Sequence, residues 1–161
     1  MAVLKPPYQY IIDTSALFDL KSQYPEKIFP GVWQRFNEMW DEKLIVAPRE
    51  VFREIQRGND ELIEWAETYK NNFLEPGEEE VLLVQNILTH YPQEIIFKYS
   101  TRPWADPLVI ACAKHYNLPI IQHETNDSRQ YKIPSIAIKY GIKCQRLIQF
   151  FEDENWQFVT A

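Results

Sequence analysis

The chain has 161 residues, is 45% hydrophobic, 14% aromatic and 25% charged, and carries a formal net charge of -6. That length predicts one domain over 1–161 with its own core. The composition excludes a disordered or collagen-like chain, and no apolar run approaches the ~20 residues of a membrane helix. Two cysteines, Cys112 and Cys144, make neither a disulfide framework nor a Cys-x-x-Cys pair, and Lys5, Pro6 and Pro7 interrupt the apolar start. The expectation is a cytoplasmic protein without membrane association.

In chain order, YQYIID (8–13) reads as a buried strand ending at Asp13, followed directly by a helix. Val32, Trp33, Phe36, Met39 and Trp40 recur at helical spacing up to about Glu42, LIVA (44–47) is a second strand, and Pro48 opens the helix PREVFREIQRG, stopped by Gly58. One apolar stripe, Leu62, Trp65, Ala66, Tyr69 and Phe73, predicts a helix over 60–73 with Asp60 as its cap. A further helix runs from Glu78 to before Pro92. Asp106-Pro107 then starts a buried helix through LVIACAKHYN, PIIQHE (119–124) is a strand, KIPSIAIKYG a short helix ended by Gly141, and IKCQ and WQFV a short strand pair. Strand and helix alternate throughout. The predicted fold is α/β, a three-layer α/β/α arrangement around a mostly parallel sheet of four to five strands, whose functional crevice lies at the carboxyl ends of the strands.

Four acids suit that crevice. Asp13 and Glu124 end predicted strands and Asp106 opens a buried helix. On a helical wheel Glu54 falls about 60° to one side of Val51, at ~100° per residue, so it rims the apolar stripe of its helix. Each has an ordinary reading as well: Asp13 and Asp106 as helix caps, Glu54 as a surface acid, Glu124 as a loop acid. Carboxylates that converge without basic partners repel one another and call for divalent cations, and an all-oxygen set favours Mg²⁺ or Mn²⁺. Zinc is disfavoured because His90, His115 and His123 have no paired ligand spacing.

Charge is unevenly spread. Residues 98–146 hold eight Lys/Arg against three Asp/Glu, whereas residues 1–97 hold nine against seventeen. The basic block leaves room for an anionic partner despite the negative total. The five tryptophans are expected to serve mainly in core packing.

Together, YIIDTSALFDL, PREVFREI and ADPLVIACAKHYNLPIIQHE resemble the PIN-domain superfamily of metal-dependent ribonucleases, over roughly residues 8–145 and most closely in its compact prokaryotic toxins. The resemblance implies that Asp13, Glu54, Asp106 and Glu124 bind Mg²⁺ or Mn²⁺ and hydrolyse RNA, leaving a 5′-phosphate. Thr14 and Ser15 would steady the first acid and its metal, and Arg129 and Lys132 would meet the scissile phosphate. It also implies an antitoxin partner and a possible homodimer. The family's last motif, threonine, any residue, aspartate, is replaced here by Gln122-His123-Glu124-Thr125-Asn126-Asp127, so either Glu124 or Asp127 is the fourth acid. Two other readings stand beside this one. A catalytically weak PIN-like module would act by binding RNA or protein. A Mg²⁺-dependent small-molecule phosphatase would want a second Asp where Ser15 stands.

Overall fold

The computed structural model of the chain describes residues 5–58, 60–124 and 131–160. Its strands are β1 (Tyr10–Ile12), β2 (Ile45–Pro48), β3 (Phe73–Leu74), β4 (Ile120–Ile121) and β5 (Cys144–Gln145). They pair in the order β3-β2-β1-β4-β5, every pair parallel, with Ile11 facing Val46 on one side and Ile120 on the other. All residues of β1, β2 and β4 are buried. A parallel sheet covered on both faces requires this, and it explains why these strands are continuous apolar runs instead of alternating ones. The architecture is the three-layer α/β/α arrangement that the alternation predicts.

The helices are α1 (Thr14–Gln23), α2 (Pro30–Asp41), α3 (Arg49–Gly58), α4 (Asp60–Thr68), α5 (Glu78–Leu88), α6 (Gln93–Lys98), α7 (Asp106–Tyr116), α8 (Ile133–Ala137) and α9 (Leu147–Asp153). The stripe of α2 is buried as its spacing predicts. Its rings join those of α4 and β3: Trp40 lies 4.8 Å from Trp65 and 5.3 Å from Phe73, and Phe36 stacks on Trp65 at 5.9 Å. Trp33, Trp40 and Trp65 are therefore core-packing residues. Helix α7, buried from Val109 to Ala113, lies against β1, β2 and β4 and along α5. Small side chains at Ala111, Cys112 and Ala113 permit that close approach, and Asn117 ends the helix in the left-handed region at φ 56°. Among the described residues no helix is long and apolar enough to cross a membrane.

Two expectations are corrected. The helix predicted over 60–73 stops at Thr68; a 3-10 turn, Lys70–Asn72, then leads into β3, which completes the sheet edge beside β2. Asn72, only 4% exposed, makes this turn by donating its side-chain amide to the carbonyls of Trp40 (2.8 Å) and Ile45 (3.2 Å). WQFV forms no strand. Residues 147–153 become α9 through the buried stripe Leu147, Phe150 and Phe151, Asn155 reverses the chain at φ 59°, and Trp156 stacks on Phe151 at 5.0 Å. Phe158 then folds against Gly31, where an added Cβ would sit 3.1 Å from the ring. Helix α6 also had no clear signal, being a six-residue segment with no buried position. The expected Asp60 cap lies outside the described side chains.

Asn72→Ala leaves two inward-facing carbonyls without this donor and should cost about 2 kcal/mol, lowering Tm by roughly 4–8 °C in a thermal melt. An unchanged Tm would show that the turn holds without its amide.

Candidate metal centre

Strand β1 is central, and the chain places β2 and β3 to one side of it and β4 and β5 to the other. The connections leaving β1 and β4 therefore part, opening a crevice at their carboxyl ends. Asp13 follows β1 directly, Glu124 stands three residues after β4, and Asp106 begins α7 at the same end. One carboxylate oxygen from each lies within 4.8 Å of the others. Acids distant in sequence thus share one place, Asp13 buried at 3% exposure and the other two half-buried.

Local structure explains each position. Asp13 is the N-cap of α1: its Oδ2 accepts the Ser15 backbone N–H (3.2 Å) and the Ser15 hydroxyl (2.6 Å). Its Oδ1 is buried with no hydrogen-bond partner. Asp13 therefore caps a helix and also presents an unsatisfied oxygen. Asp106 does not cap. Ala105 occupies the N-cap, Asp106 and Pro107 are the first helical residues, and no side chain caps this terminus. The Asp106 carboxyl is left to the cleft. Glu124 is fixed from both flanks, its N–H donating to Gln122 Oε1 (2.7 Å) and its Oε2 accepting the Ile133 N–H that opens α8 (2.7 Å). Asp127 and Arg129 lie outside the described residues.

Glu54 faces the same cleft but stands outside the trio. Its Oε1 accepts the Thr14 hydroxyl and its Oε2 the Ala105 N–H at 3.3 Å. It thereby joins the residue after Asp13 to the residue before Asp106. Thr14 braces Glu54 and Ser15 braces Asp13, so the two hydroxyls expected to steady the first acid divide the work.

One part of the site has no sequence signature. Ser15 Oγ also accepts the His123 N–H (3.0 Å), and His123 Nε2 accepts the Leu147 N–H (3.0 Å). That contact leaves Nδ1–H to donate to Asp19 Oδ2 at 2.8 Å, which fixes a neutral ring, and burial lowers the His123 pKa in keeping with it. The network ties α1, the end of β4 and the start of α9 around Asp13. His123 pairs with a residue 104 positions away, a distance no local pattern reveals.

Electrostatically the cleft is unbalanced. Burial raises Asp13 to about 6, with the Glu124 charge adding to it, and raises Glu54 to about 7, with Asp13 adding. Asp106 is pushed well above the usual carboxylate range by burial, then by the Glu124 and Asp13 charges and a hydrogen bond shared with Glu124. Among the described residues no Lys or Arg forms an ion pair with any of them. Oxygen donors, an orphaned buried oxygen and no ion-paired cation among the described residues fit a hard divalent ion such as Mg²⁺ or Mn²⁺. The histidines are engaged elsewhere, His90 with Tyr140, His115 with Glu79 and His123 with Asp19.

The cleft measures about 430 Å³ and includes Arg57, Tyr99 and Arg102; a neighbouring pocket of about 140 Å³ includes Lys98, Trp104, Tyr131 and Lys132. Glu54, Asp106 and Glu124 line both. Only part of the basic block reaches the acids. Lys114 donates to the Tyr140 carbonyl, Lys143 pairs with Asp153 and Arg146 donates to the Glu124 carbonyl.

A carboxyl whose folded pKa is raised stabilises the fold fully below its unfolded value near 4, and that contribution is lost as pH rises through the folded value. In chelator, Asp13→Asn should therefore match the parent Tm near pH 4 and exceed it by several degrees above pH 7. A variant less stable than the parent at pH 8 would contradict the uncompensated cluster.

No curated protein matches this chain. Residues 10–158, nearly its whole length, match a family described as a domain of unknown function, DUF4411, and the chain belongs to that family.

Proposed function

We propose that this protein is a Mg²⁺- or Mn²⁺-dependent endoribonuclease of the PIN-like kind, acting in the cytoplasm as the toxin of a toxin–antitoxin pair. The observation that carries the nuclease reading is the meeting of Asp13, Asp106 and Glu124 within 4.8 Å, with an Asp13 oxygen that has no hydrogen-bond partner among the described residues. The toxin role rests on the resemblance of YIIDTSALFDL and ADPLVIACAKHYNLPIIQHE to compact prokaryotic PIN-like toxins. In that reading an antitoxin segment fills the cleft.

A bound ion would lower the pKa of the attacking water and stabilise charge at the phosphate. Asp13, Asp106 and Glu124 would hold it. Ser15 keeps Asp13 in place through its N–H and hydroxyl, and the pinned backbone on either side of Glu124 does the same for that acid. Glu54 positions the other two acids through Thr14 and Ala105. Arg102 and Arg57 on the larger cleft, and Lys132 on the smaller pocket, face the phosphate oxygens of an RNA strand. Water oxygen bonds to phosphorus, the bond to the 3′ oxygen breaks, and that oxygen leaves with a proton, so one fragment carries a 5′-phosphate and the other a 3′-hydroxyl.

Purified protein incubated with total RNA should cut it with Mn²⁺ and not with chelator, and mapping should place 5′-phosphates on the fragments. Asp13→Asn or Asp106→Asn should abolish cleavage. Glu54→Gln, acting through its neighbours, should lower activity and Mn²⁺ affinity together by about 10–100-fold. Full activity in Asp13→Asn, or cutting in chelator, would refute the mechanism. Preferential hydrolysis of small monoesters would point to a phosphatase, and RNA binding without hydrolysis to a binding module.

A further inference from the structure

Two chambers of unequal size meet at the carboxylates, with Tyr99 in the walls of both. Tyr99 is packed on its neighbours. It stacks on Trp104 at 4.8 Å and 11°, while Arg102 lies 4.6 Å and Lys98 5.4 Å from its ring centre. The larger chamber, about 430 Å³, falls within the range of about 300–1,000 Å³ that accepts an organic ligand the size of a nucleoside. The smaller, about 140 Å³, does not; it has room for a phosphate group.

Glu54, Asp106 and Glu124 are among the walls of the small chamber, where a bound cation would offset their charge, and the remaining polar walls suit that group. Lys98 and Lys132 form no ion pair among the described residues. Tyr91, 5% exposed, sets its ring edge-on to Trp104 at 4.8 Å, and its hydroxyl is buried with no hydrogen-bond partner among the described residues. A buried O–H left unpaired is disfavoured, and such a group in a native structure calls for an explanation. Burial, and then the charges of Asp106 and Glu124, raise the Tyr91 pKa, so the phenol keeps its proton. A neutral donor in the same walls as two ammonium groups is complementary to phosphate oxygens.

We propose that this chamber is a second phosphate subsite, in which Tyr91, Lys98 and Lys132 hold a phosphate adjoining the scissile one while the larger chamber takes a nucleoside. The proposal rests on the nuclease reading and adds a substrate requirement to it: a strand must carry a phosphate beside the bond that is cut. Tyr91 then acts as a binding residue whose hydroxyl is idle until the substrate arrives.

The test compares an unphosphorylated dinucleotide with its 5′-phosphorylated and 3′-phosphorylated forms. Affinity is read from tryptophan fluorescence with Ca²⁺, another hard oxygen-binding ion, and turnover with Mn²⁺. One phosphorylated form should bind and be cut at least about tenfold better than the unphosphorylated one, as a hydrogen bond to a charged group supports. In Tyr91→Phe that advantage should shrink to under about threefold, while the Tm of the metal-free protein stays level or rises because no existing hydrogen bond is lost. Equal affinity for all three dinucleotides, or a Tyr91→Phe protein with the full advantage, overturns the subsite even where longer RNA is cut. Tight binding of a phosphorylated form without turnover of any RNA would uphold the subsite and instead remove the nuclease reading.

Discussion

Three carboxylates share the carboxyl end of a buried parallel sheet, and the elements around them are arranged against their mutual repulsion. Asp13 is fixed by Ser15, Glu124 by the side chain of Gln122 and the first turn of α8, and the approach of α7 to α1 by Glu54. The groups that should relax away from one another are tied to the framework at separate points. Folding therefore accepts a local loss, visible in the raised carboxyl pKa values, and recovers it from the core of β1, β2, β4 and the aromatic cluster around Trp40. A cation bound only by the folded chain would return that loss through mass action, so the ion would stabilise the protein.

Where the acids meet follows from strand order. A sheet in which sequence neighbours paired in simple succession would carry Asp13 and Glu124 on separated strands. Placing β4 directly beside β1 puts the two exits next to each other, and α7, lying across both strands, brings its first residue to the same edge. The charge pattern is then local. An overall acidic chain presents Arg57, Arg102, Lys98 and Lys132 around its acidic centre, the distribution a polyanion needs in order to approach a negatively charged protein.

Much of this was legible in the residues. Continuous apolar runs at 10–12, 45–47 and 120–121 mark buried strands, and the spacing of α2 marks its buried face. Asp13 and Asp106 are readable because each sits at a punctuation point, the end of a strand or the start of a helix, whereas the strand predicted through Glu124 ends at Ile121 and leaves that acid three residues beyond it. Glu54 was readable as a cleft residue from its wheel position, but its engagement by Thr14 and Ala105 was not, because that depends on where two other helices begin. β3 was hidden inside a helical stripe, since Phe73 serves a helix-like period and a sheet edge equally well, and the choice is made by Asn72 reaching Trp40 and Ile45. Tyr91, in an unremarkable His-Tyr-Pro turn, acquires meaning only when Trp104 packs edge-on against its ring and the hydroxyl is buried.

The most direct test of the central claim is calorimetric titration of Mn²⁺ into metal-free protein, with Asp106→Asn in parallel. Saturable binding by the parent chain that is lost in the variant is the predicted result. Absence of binding by the parent, or equal binding by both, would show that the gathered carboxylates do not form a cation site.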